Sequence, residues 1–147
     1  MKLLDANVWV AAAWVHHVHH DVARFWMDQQ VDDLGWCRAT QMAFLRLICQ
    51  STVMGRDVLT RREAWARYDA VAADPRVRFI EEPDGLAALW LAFSKRDDHS
   101  HQLWTDDYLA AFAQAAGATF VTFDAAVRSR YPSVSVMVLR SPQLDRL

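Results

Sequence analysis

Short apolar segments recur along this chain with helix-length stretches between them, and that alternation limits the fold more than any other feature. Lys2-Leu3-Leu4, Trp36-Cys37-Arg38, Val77 to Ile80, Thr119 to Phe123 and Val134 to Leu139 each read as a strand. Between them, helices are predicted over Asn7 to Trp14, His20 to Leu34, Thr40 to Ile48, Thr60 to Ala73, Leu86 to Phe93, Asp106 to Ala116 and Ala125 to Ser129. Val22, Phe25, Trp26 and Val31 carry the helical spacing of apolar residues in the second of these. Local stops fit the same division: Gly35 after the second helix, Thr60 with Glu63 as a capping box, Asp74-Pro75, and Gly117. Pro83-Asp84-Gly85 reads as a turn, and Ser94 to Gln102 as an exposed loop. Buried strands alternating with helices make an α/β fold: one three-layer α/β/α domain over residues 1–147, with a mostly parallel central sheet of four or five strands.

A chain of 147 residues is long enough to bury one hydrophobic core. With 53% apolar and 23% charged residues it has an ordinary globular balance. The longest apolar run, Val8 to Val15, is too short to span a bilayer, and Met1-Lys2 opens no secretory leader, so a cytoplasmic protein is expected. The two cysteines, Cys37 and Cys49, build neither a disulfide framework nor a four-thiolate zinc site and read as reduced core residues. A net charge of −2 gives no basic signature, so any contact with nucleic acid must be argued from a site.

In a doubly wound sheet the functional residues lie at the carboxyl ends of the strands, near the point where strand order reverses. Asp5 ends the first strand and Asp124 the fourth, and Asp106 lies in the first turn of the helix feeding the fourth. Three carboxylates brought together there repel one another, and a hard divalent cation relieves that repulsion. An all-oxygen site suits Mg²⁺ or Mn²⁺, ions that engage phosphate and activate water for phosphodiester hydrolysis. Each acid also has a purely structural explanation. Asp106 suits the positive end of a helix dipole, and Asp124 suits the cap of the helix that follows it.

Longer motifs surround these acids. Leu3-Leu4-Asp5-Ala6-Asn7-Val8-Trp9 resembles the opening motif of PIN domains. Trp104-Thr105-Asp106-Asp107-Tyr108-Leu109-Ala110-Ala111-Phe112-Ala113 resembles the family's acid-bearing helix, and Ala118 to Asp124 its Thr-x-Asp strand end. Thr40 to Arg46 and His17 to Trp26 are similar to one branch of VapC-type toxins. The resemblance runs over nearly the whole chain in the family's order. It implies a Mg²⁺- or Mn²⁺-dependent endoribonuclease, the toxin of a toxin–antitoxin pair, acting on RNA and neutralised by a cognate antitoxin. It also implies that Asp5, Asp106 and Asp124 are the catalytic, metal-holding acids, with Asn7 and Thr122 in support and Asp107 and Arg46 as further polar candidates. In the family an antitoxin tail often delivers a basic side chain to the acids, and members often form homodimers, which the apolar helix faces here permit.

One position departs from the family. Many PIN domains carry a glutamate three residues before the arginine of the second motif, where this chain has Ala43. Thr40 brings no charge, while Gln41, Glu63 and Asp107 are candidates to compensate; Glu63 is explained by its capping box.

His16, His17, His19 and His20 cluster, and His16 with His20 has a spacing that can bind zinc on a helix. No third ligand accompanies them, and a solvated or capping role is the plainer reading. Of the seven tryptophans, Trp9, Trp14, Trp26 and Trp90 fall on apolar faces and read as core, while Trp104 is placed to stack on a base. Arg38, Arg46, Arg56, Arg61, Arg62, Arg128 and Arg130 are scattered candidates for phosphate contact.

Two other functions compete. A phosphatase or phosphoacceptor domain would use Asp5 as nucleophile, but position 7 is Asn7 rather than an acid, and Lys2 and Lys95 fit a receiver domain poorly. A degenerate PIN-like binding module, with little catalysis, is the reading that Ala43 favours.

Overall fold

The computed structural model describes residues 1–140. Five strands form one fully parallel sheet: β1 (Lys2–Leu4), β2 (Leu34–Trp36), β3 (Val77–Phe79), β4 (Thr119–Thr122) and β5 (Val136–Val138), in the order β3-β2-β1-β4-β5. Eight helices surround it: α1 (Ala6–Ala13), α2 (His20–Asp28), α3 (Arg38–Ile48), α4 (Ser51–Met54), α5 (Arg61–Ala72), α6 (Leu86–Ser94), α7 (Trp104–Ala116) and α8 (Ala126–Arg130).

Side chains alternate across a strand, and the two core layers follow from that. Leu4 and Val121 enter a core with Val8, Trp9, Trp36 and Phe44, under α1, α2, α3 and α5. Leu3 and Phe120 enter the opposite core with Leu109 to Ala113, Val127 and Tyr131, under α6, α7 and α8. The expected three-layer α/β/α architecture is therefore present. β1 pairs with β4, Leu4 opposite Val121, and the backbone N–H of Asp5 donates to the Val121 carbonyl at 2.9 Å. The chain crosses from β1 outward to β2 and β3, then returns to β4 on the other side of β1. The reversal point thus lies between β1 and β4, where the acids were expected.

Several boundaries differ from the sequence reading. Helix α2 ends at Asp28, and Gly35 is not a helix breaker but the centre of β2. A Cβ there would stand 2.3 Å from Ile80 Cδ1 and 3.2 Å from the Lys2 carbonyl oxygen, so the close approach of neighbouring chain requires glycine. Helix α3 starts at Arg38, which moves Thr40 into its first turn, where the hydroxyl accepts from the Cys37 N–H at 3.0 Å. Helix α7 starts at Trp104, two residues before the predicted start at Asp106. The Thr60–Glu63 capping box is present as expected. Cys37 is buried and Cys49 half-buried, both unpaired with sulfur. No helix among the described residues is long and apolar enough to cross a membrane.

Candidate active site

Asp5 occupies the N-cap of α1, where an aspartate ordinarily accepts from the backbone of its own helix. Its side chain makes no such bond. It turns instead to Thr122 at the end of β4, whose hydroxyl donates to Asp5 Oδ2 at 2.9 Å. The same hydroxyl accepts from the Asp124 backbone N–H at 3.1 Å. Thr122 is fully buried, so this link is shielded from water. Burial pushes the Asp5 carboxyl above the usual carboxylate range; the Thr122 bond opposes that rise, and the nearby charges of Asp106 and Asp124 add to it.

Asp106, in the first turn of α7, and Asp124, just after β4, meet at Arg130. The guanidinium donates to Asp106 Oδ2 at 3.0 Å and to Asp124 Oδ2 at 3.2 Å. Burial raises the Asp106 carboxyl, Arg130 holds it down, and Asp124 and Asp107 push it up. Asp124 also keeps the structural role open to it, since Oδ1 accepts from the Ala126 N–H at 2.9 Å at the start of α8. A continuous network thus runs from Asp5 through Thr122 and Asp124 to Arg130 and Asp106. It joins residues more than a hundred positions apart at the carboxyl ends of β1 and β4.

Carboxylate oxygens are the donor type that a hard divalent cation takes, and Arg130 shows that the cluster accommodates positive charge. The acids are not preassembled around one point: among the described residues, no three His, Cys, Asp or Glu side chains stand where they could hold one metal ion. Arg130 is the residue that sequence reasoning left unplaced among the scattered arginines. Its only signal was its position six residues after Asp124, in the following helix.

Other expected residues stand outside this hydrogen-bonded network. Asn7 is exposed in the first turn of α1. Asp107 turns inward and accepts from the Tyr131 hydroxyl, buried beside Asp106 rather than sharing its network. Arg46 lies exposed in a groove with Met42, Leu45 and Trp65, between α3 and α5, away from the acids. The other candidates to compensate for the missing acid are engaged elsewhere: Gln41 with Arg38, and Glu63 with Thr60. The histidine cluster is spent on local structure. His20 Nδ1 donates to the Ala11 carbonyl at 2.7 Å, His16 meets Asp57 at 2.6 Å, and His17 Nδ1 accepts from the His19 N–H at 3.0 Å. His16 and His20 share no helix, because α1 ends at Ala13. Trp9 is core, as expected, and stacks on Trp36 with ring centroids 4.0 Å apart. Trp14 and Trp26 are half-buried, whereas Trp90 is exposed rather than core.

Comparison with known proteins shows the family to which this fold belongs. The PIN domain family matches residues 2–131. The chain belongs to the PIN-domain family. Within it, this PIN domain is 42% identical over 145 residues to Ribonuclease VapC41 of Mycobacterium tuberculosis, covering 95% of this chain and 99% of the relative. That places it in the VapC-type branch. Solved structures share the fold at lower identity. One is the Mycobacterium tuberculosis VapC20, described as a Sarcin-Ricin loop cleaving toxin, with a TM-score of 0.65, 15% identity, and coverage of 88% of this chain and 94% of that one. Another is VapBC2 from Rickettsia felis bound to a promoter DNA fragment, with a TM-score of 0.67, 14% identity, and coverage of 95% and 98%.

Proposed function

We propose that this PIN domain is a cytoplasmic toxin, an endoribonuclease that hydrolyses RNA phosphodiester bonds with Mg²⁺ or Mn²⁺ held by Asp5, Asp106 and Asp124. The observation that carries the reading is the Thr122–Arg130 network, which draws these three acids to the switch point of the sheet. The named VapC ribonuclease relatives and the VapBC structure support the toxin role and a cognate antitoxin partner.

A divalent cation at such acids supplies Lewis-acid activation of water and of the scissile phosphate. The chain's own residues prepare that chemistry. Thr122 fixes the oxygen of Asp5 and the backbone of Asp124 relative to each other. Arg130 balances Asp106 and Asp124, which would otherwise repel, and its guanidinium is the group beside the acids able to pair with phosphate oxygens. Replacing Asp5 or Asp106 with Asn should abolish cleavage of a mixed RNA pool while circular dichroism and thermal unfolding remain those of a folded protein. Full activity in both variants would reject the assignment.

Ala43 and the hold of Arg130 on two acids favour a second reading, a weakly catalytic module acting through its partner surface. Calorimetric titration with Mg²⁺ and Mn²⁺ beside the cleavage assay separates the two. Neither binding nor cleavage would favour the second.

A further inference from the structure

A cavity of about 460 Å³ opens beside the acid network, between the loop joining α6 to α7 and the start of α8's trailing turn. Trp104, Lys95 and Arg96 line it together with Asp98, Arg130 and Tyr131. Arg130 therefore belongs to both the cavity wall and the acid network, so whatever enters the cavity lies next to the acids.

Trp104 is 55% exposed, and it packs against a neighbouring indole. Trp90 Nε1 donates to the Trp104 carbonyl at 3.2 Å, and the two indoles meet edge to face with centroids 6.4 Å apart. Trp90 in turn meets Tyr108 edge to face at 5.6 Å, and the Tyr108 hydroxyl donates to Glu82 at 2.7 Å. The indole of Trp104 thus packs by its edge on Trp90 and leaves a large part of its π surface facing solvent. Arg96 is also oriented, its Nε donating to the Phe93 carbonyl at 2.9 Å. An exposed aromatic face with cations beside it is the combination that binds single-stranded nucleic acid, the bases stacking and the backbone tracking the charges.

We propose that this cavity takes one unpaired nucleobase of the RNA, stacked on Trp104, with Lys95 and Arg96 meeting the adjoining phosphates. The proposal rests on the ribonuclease reading and assigns to Trp104, Lys95 and Arg96 the path of the unpaired strand beside the acids. Trp104 is a specificity-determining residue that positions the strand against the acids. Arg130 marks the border between the base pocket and the reacting phosphate.

The test measures fluorescence anisotropy of the full chain carrying Asp5→Asn, with a fluorescein-labelled single-stranded RNA pool and with a fully paired RNA of matched length. Adding Trp104→Ala should weaken single-strand binding by roughly tenfold or more, with Trp104→Phe retaining most of the affinity. Trp104→Leu keeps apolar bulk against Trp90 without a π face and should behave as the alanine variant does. Paired RNA should bind all four proteins alike. Replacing Lys95 and Arg96 together with Gln should weaken binding and flatten its dependence on salt. Unchanged single-strand affinity in the alanine and leucine variants would overturn the proposal, as would failure of the parent to bind single strands. Cleavage by the wild-type chain with Mn²⁺, run in parallel, separates the two ideas. Cleavage with Trp104-independent binding removes the pocket alone, whereas Trp104-dependent binding without cleavage removes the ribonuclease reading alone.

Discussion

Thr122 is the residue on which the acids depend most directly, since one hydroxyl serves Asp5 on one side and the Asp124 backbone on the other. Thr122→Val keeps the shape and removes both bonds. Because it acts through the residues it orients, the loss should appear in divalent dependence: a reduction of roughly 10- to 100-fold in metal affinity or in activity. An unchanged half-saturating Mn²⁺ concentration together with an unchanged rate would show that the hydroxyl positions nothing. Asp5 itself carries a stability cost. Burial holds its carboxyl above the ordinary range, so the folded chain binds that proton more tightly than the unfolded chain does. Without a divalent ion, the contribution of Asp5 therefore falls as pH rises from the ordinary carboxylate range through the raised value. Asp5→Asn removes the charge, so the variant should unfold at a higher temperature than the parent at neutral pH, and the gap should close in acid. A gap that widened in acid would contradict this sign.

Among the elements, the start of β3 and the end of α2 are joined by a single side chain. Arg76 donates to the carbonyls of Met27 and Gln30, at 2.5 Å and 2.9 Å, and pairs with Asp74 at 2.8 Å. The Met27 carbonyl also accepts from the Gln30 N–H at 3.1 Å, and Arg76 adds a charged donor there and a partner for the Gln30 carbonyl just past the helix. Arg76→Ala should cost about 1–3 kcal/mol, read as a lower denaturant midpoint at unchanged slope. A midpoint within error of the parent would mean that water replaces the guanidinium at no cost. Element identity was largely legible beforehand, because apolar runs and caps are local signals. Boundaries were less so. Gly35 reads as a stop from its own chemistry, but Ile80, far along the chain, makes it the centre of a strand.

At the scale of the whole molecule, a cation that binds only the folded chain stabilises it by mass action. Mn²⁺ at ten times its dissociation constant should add roughly 1.4 kcal/mol and raise the unfolding temperature. The rise should vanish in Asp5→Asn and in Asp106→Asn. An equal rise in those variants would place the ion elsewhere on the protein. The same fold puts Arg46 on a different surface from the acids and separates Trp104 from the core, so two residues of similar promise in sequence have different prospects.

The sequence by itself determined the α/β class, the parallel sheet and the acids at its strand ends, because burial pattern and an aspartate after an apolar run are properties of neighbouring residues. Only the tertiary structure decided what each acid touches. Asp106 and Asp107 are adjacent on a helix buried almost all round from Leu109 to Ala113, so no apolar stripe tells which faces the site. Packing against α8 decides it, giving Arg130 to Asp106 and Tyr131 to Asp107. Such pairings depend on relative placement of distant segments, to which local pattern is blind.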